Sequence, residues 1–188
     1  MRLPAPRIAP LTDAELTPEA RGALAALPEF ARAFNIFRTQ AHKPVALKAF
    51  LAWGNYILSS ANALPARERE LAILRTGYLC KAGYEWAQHV VIGGQAGLTN
   101  EEIARIKLGG SAPGWSAIDA AILSACDELV RGHFITDPTW AALAPLGDEG
   151  RIDLVYTVGQ YTQVSMLLNS AGVQLDAILT PDPDLSAP

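Results

Sequence analysis

Three ionisable side chains stand where a helix would ordinarily bury apolar ones: Glu70, Glu85 and His89. All lie in the stretch ELAILRTGYLCKAGYEWAQH, residues 70–89, which reads as two short helices broken at Lys81-Ala82-Gly83. Glu85 and His89 are spaced i, i+4 and so share one helix face. That face continues through Ile92, Gly93 and Ala96, small or apolar residues that would let another helix approach closely. On the first helix, Leu71, Ala72, Ile73, Leu74, Tyr78, Leu79 and Cys80 are apolar nearly all round, the pattern of a buried helix. Glu70 projects between Leu74 and Gly77, where a carboxylate must be protonated, paired or hydrogen-bonded. The available partners are His89, or Arg67 or Arg75 on its own helix. A carboxylate–imidazole set of this kind either pins two helices together or moves protons.

The elements that must position these groups are helical. No alternating strand pattern occurs, so the expected fold is all-α, a bundle of about seven or eight helices in a single domain spanning residues 1–188. Residues 1–11, with three prolines, read as an extended arm wrapping the body. Thr17-Pro18-Glu19 is a helix start, and a short helical turn follows over 30–37. Pro44 opens a helix to about Ala61, and Leu64-Pro65 begins the Glu70 helix. Thr99 with Glu102 forms a capping box, and Gly109-Gly110 stops that helix. Ser116 caps a helix to about Arg131, and Thr136-Asp137-Pro138 starts a short one. A final helix is expected from about Glu149 to Asp176, followed by a proline-rich, frayed tail over 177–188. Its residues Val155, Tyr156, Val158, Tyr161, Val164, Met166, Leu167 and Leu168 leave little polar face, and such surplus apolar surface points to subunit contacts.

Composition bounds the partners. The 188 residues are 50% hydrophobic and 18% charged, with net charge −4, which argues against nucleic acid or an anionic membrane as a partner. The N-terminal residues contain no continuous apolar run, so a cytoplasmic location is expected, and no stretch reads as a membrane span. Two cysteines, Cys80 and Cys126, are too few for a disulfide framework, and each sits in an apolar helical pattern. The three histidines show no HExxH or paired CxxC spacing, so no metal is expected. His42 reads as a loop residue, and His133 as a cation at a helix end. Tyr84 and Trp86 flank the Glu85 face and could wall a pocket, while Tyr161 is a candidate that sequence alone does not place.

The run LPARERELAILRTGYLCKAGYEWAQHVVIGGQAGLTNEEI resembles the carboxymuconolactone decarboxylase family, whose superfamily includes the alkylhydroperoxidase D proteins. Tyr84-Glu85-Trp86 with His89, then Ala96-Gly97-Leu98 and Glu101-Glu102, carry the resemblance most specifically. It implies an alkylhydroperoxidase D-like fold assembled as a homo-oligomer, trimer or hexamer, with no metal or organic cofactor. The family's redox branch has Cys-x-x-Cys-x-x-x-His with a glutamate twelve residues before the first cysteine. Here Glu70 and His89 match the glutamate and histidine, but Ala82 and Glu85 occupy the two cysteine positions. A dithiol peroxidase requires both sulfurs, so a peroxidase, even one working through Cys80 alone, is the less favoured alternative. The resemblance instead implies a cofactor-independent carboxy-lyase acting on a small carboxylated lactone or a related intermediate of aromatic-compound breakdown. In that reading His89 donates or shuttles a proton and Glu70 orients it. Glu85 is a second acid or base, and Arg75, Tyr84 and Trp86 contact the substrate. A non-catalytic oligomer binding a small ligand is the remaining alternative.

Overall fold

A computed structural model describes residues 2–185. Among them are nine α-helices and three short 3-10 turns, with no strand. The helices are α1 Pro18–Leu24, α2 Asn35–Gln40, α3 Pro44–Leu58, α4 Ala66–Leu79, α5 Gly83–Gln95, α6 Asn100–Ile106, α7 Ala117–Gly132, α8 Asp137–Ala142 and α9 Gly147–Ala171. The turns are Glu29–Ala33, Ala144–Leu146 and Pro183–Leu185. No helix is long and apolar enough to cross a membrane among the described residues.

Helix α4 is the hub. It packs against α5, α6, α7 and α9, and every residue from Arg69 to Gly77 is buried. Its apolar side chains join those of α5, α6, α7 and α9 in the main core, around Leu71, Leu74, Ile122, Leu123 and Leu154. A second cluster joins α1 to α3 through Ala20, Leu24, Leu47 and Leu51. Burial of such side chains, each contributing about 1.5–3 kcal/mol, is what holds the polar residues of α4 inside.

The break between α4 and α5 sets the geometry of everything polar in the core. Lys81 takes the left-handed conformation (φ 55°), and the Ala82 N–H donates to the Gly77 carbonyl at 2.9 Å. This closure reverses the chain, so that α5 runs back along α4. Gly77 then faces Glu85 and Gly93 faces Glu70. A Cβ on Gly93 would meet Leu98 Cδ1 at 3.1 Å and Leu74 Cδ1 at 3.2 Å, so the small-residue stripe on α5 does admit α4 closely.

The capping residues act as their sequence suggests. Thr17 Oγ1 accepts from the Ala20 N–H at 3.2 Å, and Thr99 with Glu102 forms both bonds of a capping box. Two chain ends differ from expectation. Helix α9 stops at Ala171, not Asp176, because Gly172 is left-handed (φ 69°) and a Cβ there would meet the Ala5 carbonyl oxygen at 2.9 Å. The N-terminal arm runs over this point, with the Arg7 N–H donating to the Ala171 carbonyl at 2.8 Å. The C-terminal segment does not fray as far as Leu185. Leu185 is buried in the main core, and Lys107 Nζ reaches Asp182 at 2.7 Å and Asp184 at 2.8 Å. Residues 186–188 of the expected tail lie outside the described residues.

Candidate active site

Helices α4 and α5 bring Glu70, Glu85 and His89 into one row. His89 Nδ1 is 2.6 Å from Glu70 Oε2, and His89 Nε2 is 2.9 Å from Glu85 Oε1. The three residues are only 2%, 4% and 5% exposed, so the charges interact with little solvent screening. Burial alone would push the imidazolium to lower pKa, but the Glu70 and Glu85 carboxylates outweigh it and raise the pKa to about 10. At neutral pH the ring therefore carries both protons and donates one to each carboxylate. Of the partners open to Glu70 from the sequence, His89 is the one used. Arg67 instead pairs with Asp119 at 2.9 Å and with Glu102.

Glu85 and His89 lie at the wall of a cavity of about 290 Å³ between α2, α3, α5 and α9. Phe34, Ile36, Phe37, Phe50, Leu51, Leu58, Ile92 and Val164 make most of its lining apolar. The volume is roughly twice the ~150 Å³ of an engineered apolar cavity that takes up benzene. Tyr161 stands edge-on to the His89 ring, centroids 4.9 Å apart, and Asn55, Gln88 and Gln160 are the other polar residues of the wall. Gln88, Gln160 and Asn55 carry no sequence signal that separates them from ordinary helix-surface amides.

The expected substrate contacts divide. Tyr84 lines the cavity, but its hydroxyl is committed to Asp176 Oδ2 at 2.5 Å and accepts from Gln88 at 3.2 Å. Burial and the Asp176 carboxylate push this phenol far above its ordinary pKa. Trp86 is buried on the other side of α5, against Tyr78 at 5.6 Å and the main core. Residues 84 and 86 are about 200° apart around a helix, so both cannot face one cavity. Arg75 is also absent from the cavity wall. It points from α4 toward α7, where Nε and Nη2 hold Asp127 at 2.8 and 2.9 Å. Its Nη1 donates to the Ile106 and Lys107 carbonyls at 2.8 and 2.9 Å.

Neither thiol reaches the site. Cys80 caps α4, contacts Ser165 and Thr162, and is absent from the cavity wall; burial pushes its pKa up. Cys126 is fully buried, with Sγ 3.7 Å from the Ala72 carbonyl oxygen, and burial raises its pKa to about 12. Among the described residues no cluster of His, Cys, Asp and Glu has the arrangement of a metal site.

Solved structures share this architecture at low sequence identity. An uncharacterized peroxidase-related protein from Ralstonia eutropha JMP134, described as an alkylhydroperoxidase AhpD core, matches 90% of this chain and 93% of its own, at 19% identity and TM-score 0.71. The debrominase Bmp8, solved in complex with 2,3,4-tribromopyrrole, matches 90% of this chain and 91% of its own, at 16% identity and TM-score 0.69. A protein of unknown function from Agrobacterium tumefaciens, described as a putative antioxidant defence protein AhpD, matches 80% and 97%, at 20% identity and TM-score 0.66. Comparison with curated proteins finds no match. Residues 44–126, which hold Glu70, Glu85 and His89 together with α3 to α6 and most of α7, match the carboxymuconolactone decarboxylase family, and the chain carries that family's segment within an AhpD-like all-α fold.

Proposed function

We propose that the protein is a cofactor-independent acid–base enzyme of decarboxylase-like type, acting on a small unsaturated lactone or a related ring compound. The observation that carries this reading is the Glu85 carboxylate at the wall of an apolar cavity, backed by an imidazolium that Glu70 holds from behind. His89 has both ring nitrogens engaged, so Glu85 is the group that exchanges a proton with the substrate. His89 Nε2–H resupplies Glu85, and Glu70 fixes the ring and stabilises its charge.

For a carboxylated unsaturated lactone the step is simple. The bond between ring carbon and carboxylate breaks, CO2 leaves, and the electron pair delocalises into the lactone as a dienolate. His89 Nε2–H passes its proton to the Glu85 carboxylate, which delivers it to carbon, and water returns a proton to His89. Apolar walls favour this direction, because they disfavour the substrate carboxylate more than neutral CO2. Among the described residues no lysine or arginine lines the cavity to stabilise that carboxylate. Thiol redox chemistry has less support, since both cysteines lie off the cavity wall.

The test is a paired assay on the purified protein. One arm follows loss of carboxymuconolactone and release of CO2. The other follows hydroperoxide consumption with a dithiol reductant. Turnover in the first arm should fall by about 100-fold or more in Glu85→Gln, with circular dichroism unchanged. Equal turnover in the variant would remove Glu85 from the chemistry, and turnover confined to the hydroperoxide arm would favour a peroxidase.

Self-association belongs to the same proposal. Trp53 stacks on Tyr56 and meets Tyr156 edge-on, both with centroids 5.2 Å apart. With Ile152 and Val155 they leave an exposed apolar surface across α3 and α9, which a second copy would cover. Light scattering at micromolar concentration should give an oligomer, and a monomer would refute this.

A further inference from the structure

We propose that Tyr161 and Gln160 form an oxygen-binding subsite in the cavity, which takes the carbonyl oxygen of an unsaturated lactone or enone and stabilises the enolate formed there. The inference rests on the acid–base reading of Glu85 and His89 and names the substrate class for that same site.

Both side chains are more than nine-tenths buried, at 6% and 9% exposure, and both line the cavity. Neither side chain has a hydrogen-bond partner among the described residues. Neither polar end is sealed from open space, and the cavity is the open space that both residues line. A buried hydroxyl or amide without a partner is costly, and such groups are satisfied by whatever occupies the space in front of them. Nearby hydroxyls have different fates. Tyr84 is bound to Asp176 and Tyr56 to Asp153 at 2.6 Å. Tyr161 alone of these three phenols is left for a ligand.

The chemistry required at this point is that of a donor. Removing a proton beside a carbonyl puts negative charge on the carbonyl oxygen, and protonation at carbon starts from the same enolate, which an aimed O–H stabilises. Tyr161 keeps its proton, because burial and then the Glu85 and Glu70 carboxylates push its pKa well above that of a free phenol. Its ring meets His89 edge-on at 4.9 Å, beside the imidazole that holds Glu85, so the donor and the acid–base pair lie on one wall of the cavity. With Glu85 as base, the C–H bond gives its proton to the carboxylate and its electron pair to the conjugated carbonyl. Reprotonation at carbon reverses the step or moves the double bond, so nothing is oxidised and no co-reactant is needed.

The probe is but-2-enolide, a neutral five-membered unsaturated lactone, labelled with 13C at the carbonyl. Infrared difference spectra of the bound probe should show the carbonyl band at lower frequency than in an apolar solvent. Tyr161→Phe should move the band partway back toward its apolar-solvent position and weaken binding about fivefold, while benzene binds within twofold of the wild type. Exchange of the ring C–H into D2O should slow at least tenfold in Tyr161→Phe. Glu85→Gln should abolish exchange yet keep the band shift. An unshifted band in the wild type, or one that Tyr161→Phe leaves in place, overturns the subsite. Exchange with an unshifted band refutes the subsite alone, whereas a shifted band without exchange refutes the acid–base reading alone. Should Tyr161→Phe lose benzene binding, Gln160→Leu makes the same comparison on the other donor.

Discussion

Replacing His89 by glutamine removes the one cation that Glu70 and Glu85 share. Glutamine is neutral and its single amide reaches one carboxylate, not both. Breaking a buried ion pair from one side costs about 3–5 kcal/mol, because the partner charge stays buried. In a domain of this size about 1 kcal/mol corresponds to roughly 2–4 °C in Tm, so the variant should melt roughly 6–20 °C lower near pH 6. The same site makes the wild type sensitive to base. The unfolded histidine titrates near pH ~6.5, while the folded one is raised to about 10. Between those values the folded chain holds one more proton than the unfolded chain. The stabilisation is therefore complete below pH ~6.5 and is lost as pH rises toward 10, at up to about 1.4 kcal/mol per pH unit. Urea unfolding of both proteins at pH 6, 7.5 and 9, at one protomer concentration, measures this directly. The gap should be widest at pH 6 and narrow as the wild type falls. A variant as stable as the wild type at pH 6, or the same pH slope in both, would refute a doubly held imidazolium.

Other perturbations separate structure from chemistry. Arg75→Met leaves Asp127 and two carbonyls without their donor, and should lower stability by about 3–5 kcal/mol in urea unfolding while the folded fraction keeps its kcat within about twofold. Cys80→Ser should leave CO2 release unchanged in the lyase assay. In the wild type the same thiol, pushed up by burial, should alkylate with iodoacetamide at pH 7 more slowly than free cysteine.

What the sequence disclosed and what it hid follow from the range of the interactions. Helix starts are local events, and Thr17, Pro44, Thr99 and Ser116 each mark one correctly. The out-of-place polarity of Glu70 and His89 within apolar helices disclosed a buried pair, because a carboxylate there needs a partner. Orientation was less legible. Trp86 is next to Glu85 in sequence but faces the opposite side of α5. Arg75 looked available because its partner, Asp127, is 52 residues away. The run Val173-Gln174-Leu175 continues the apolar pattern of α9, and only the left-handed Gly172 under the N-terminal arm stops it. Tyr161 looks like any other apolar position of α9 until Ile57, Ile73 and His89 are seen around its ring.

On the proposed acid–base reading, position 85 decides which chemistry this scaffold supports, and the double variant Ala82→Cys/Glu85→Cys tests that directly. Positions 82 and 85 are the N-cap and third residue of α5, one turn apart on the same side. The positive dipole end at that helix start favours a thiolate. A cysteine at 85 would put Sγ near the present Cγ, which a Cβ on Gly77 would meet at 3.4 Å. That place is two bonds short of the oxygen now 2.9 Å from His89, so the imidazole would act on the thiol less directly than on the carboxylate. Ala82 is fully buried, and the extra sulfur there should cost about 1–3 kcal/mol of crowding. The wild type has two free cysteines, so the variant has four when reduced. Mild oxidation should bring a thiol titration of the unfolded protein down to two, dithiol-dependent hydroperoxide reduction should appear, and CO2 release should vanish with Glu85. Four titratable thiols after oxidation would mean that α5 does not present these positions as a redox pair, and the likeness to the thiol branch would then stop at Glu70 and His89.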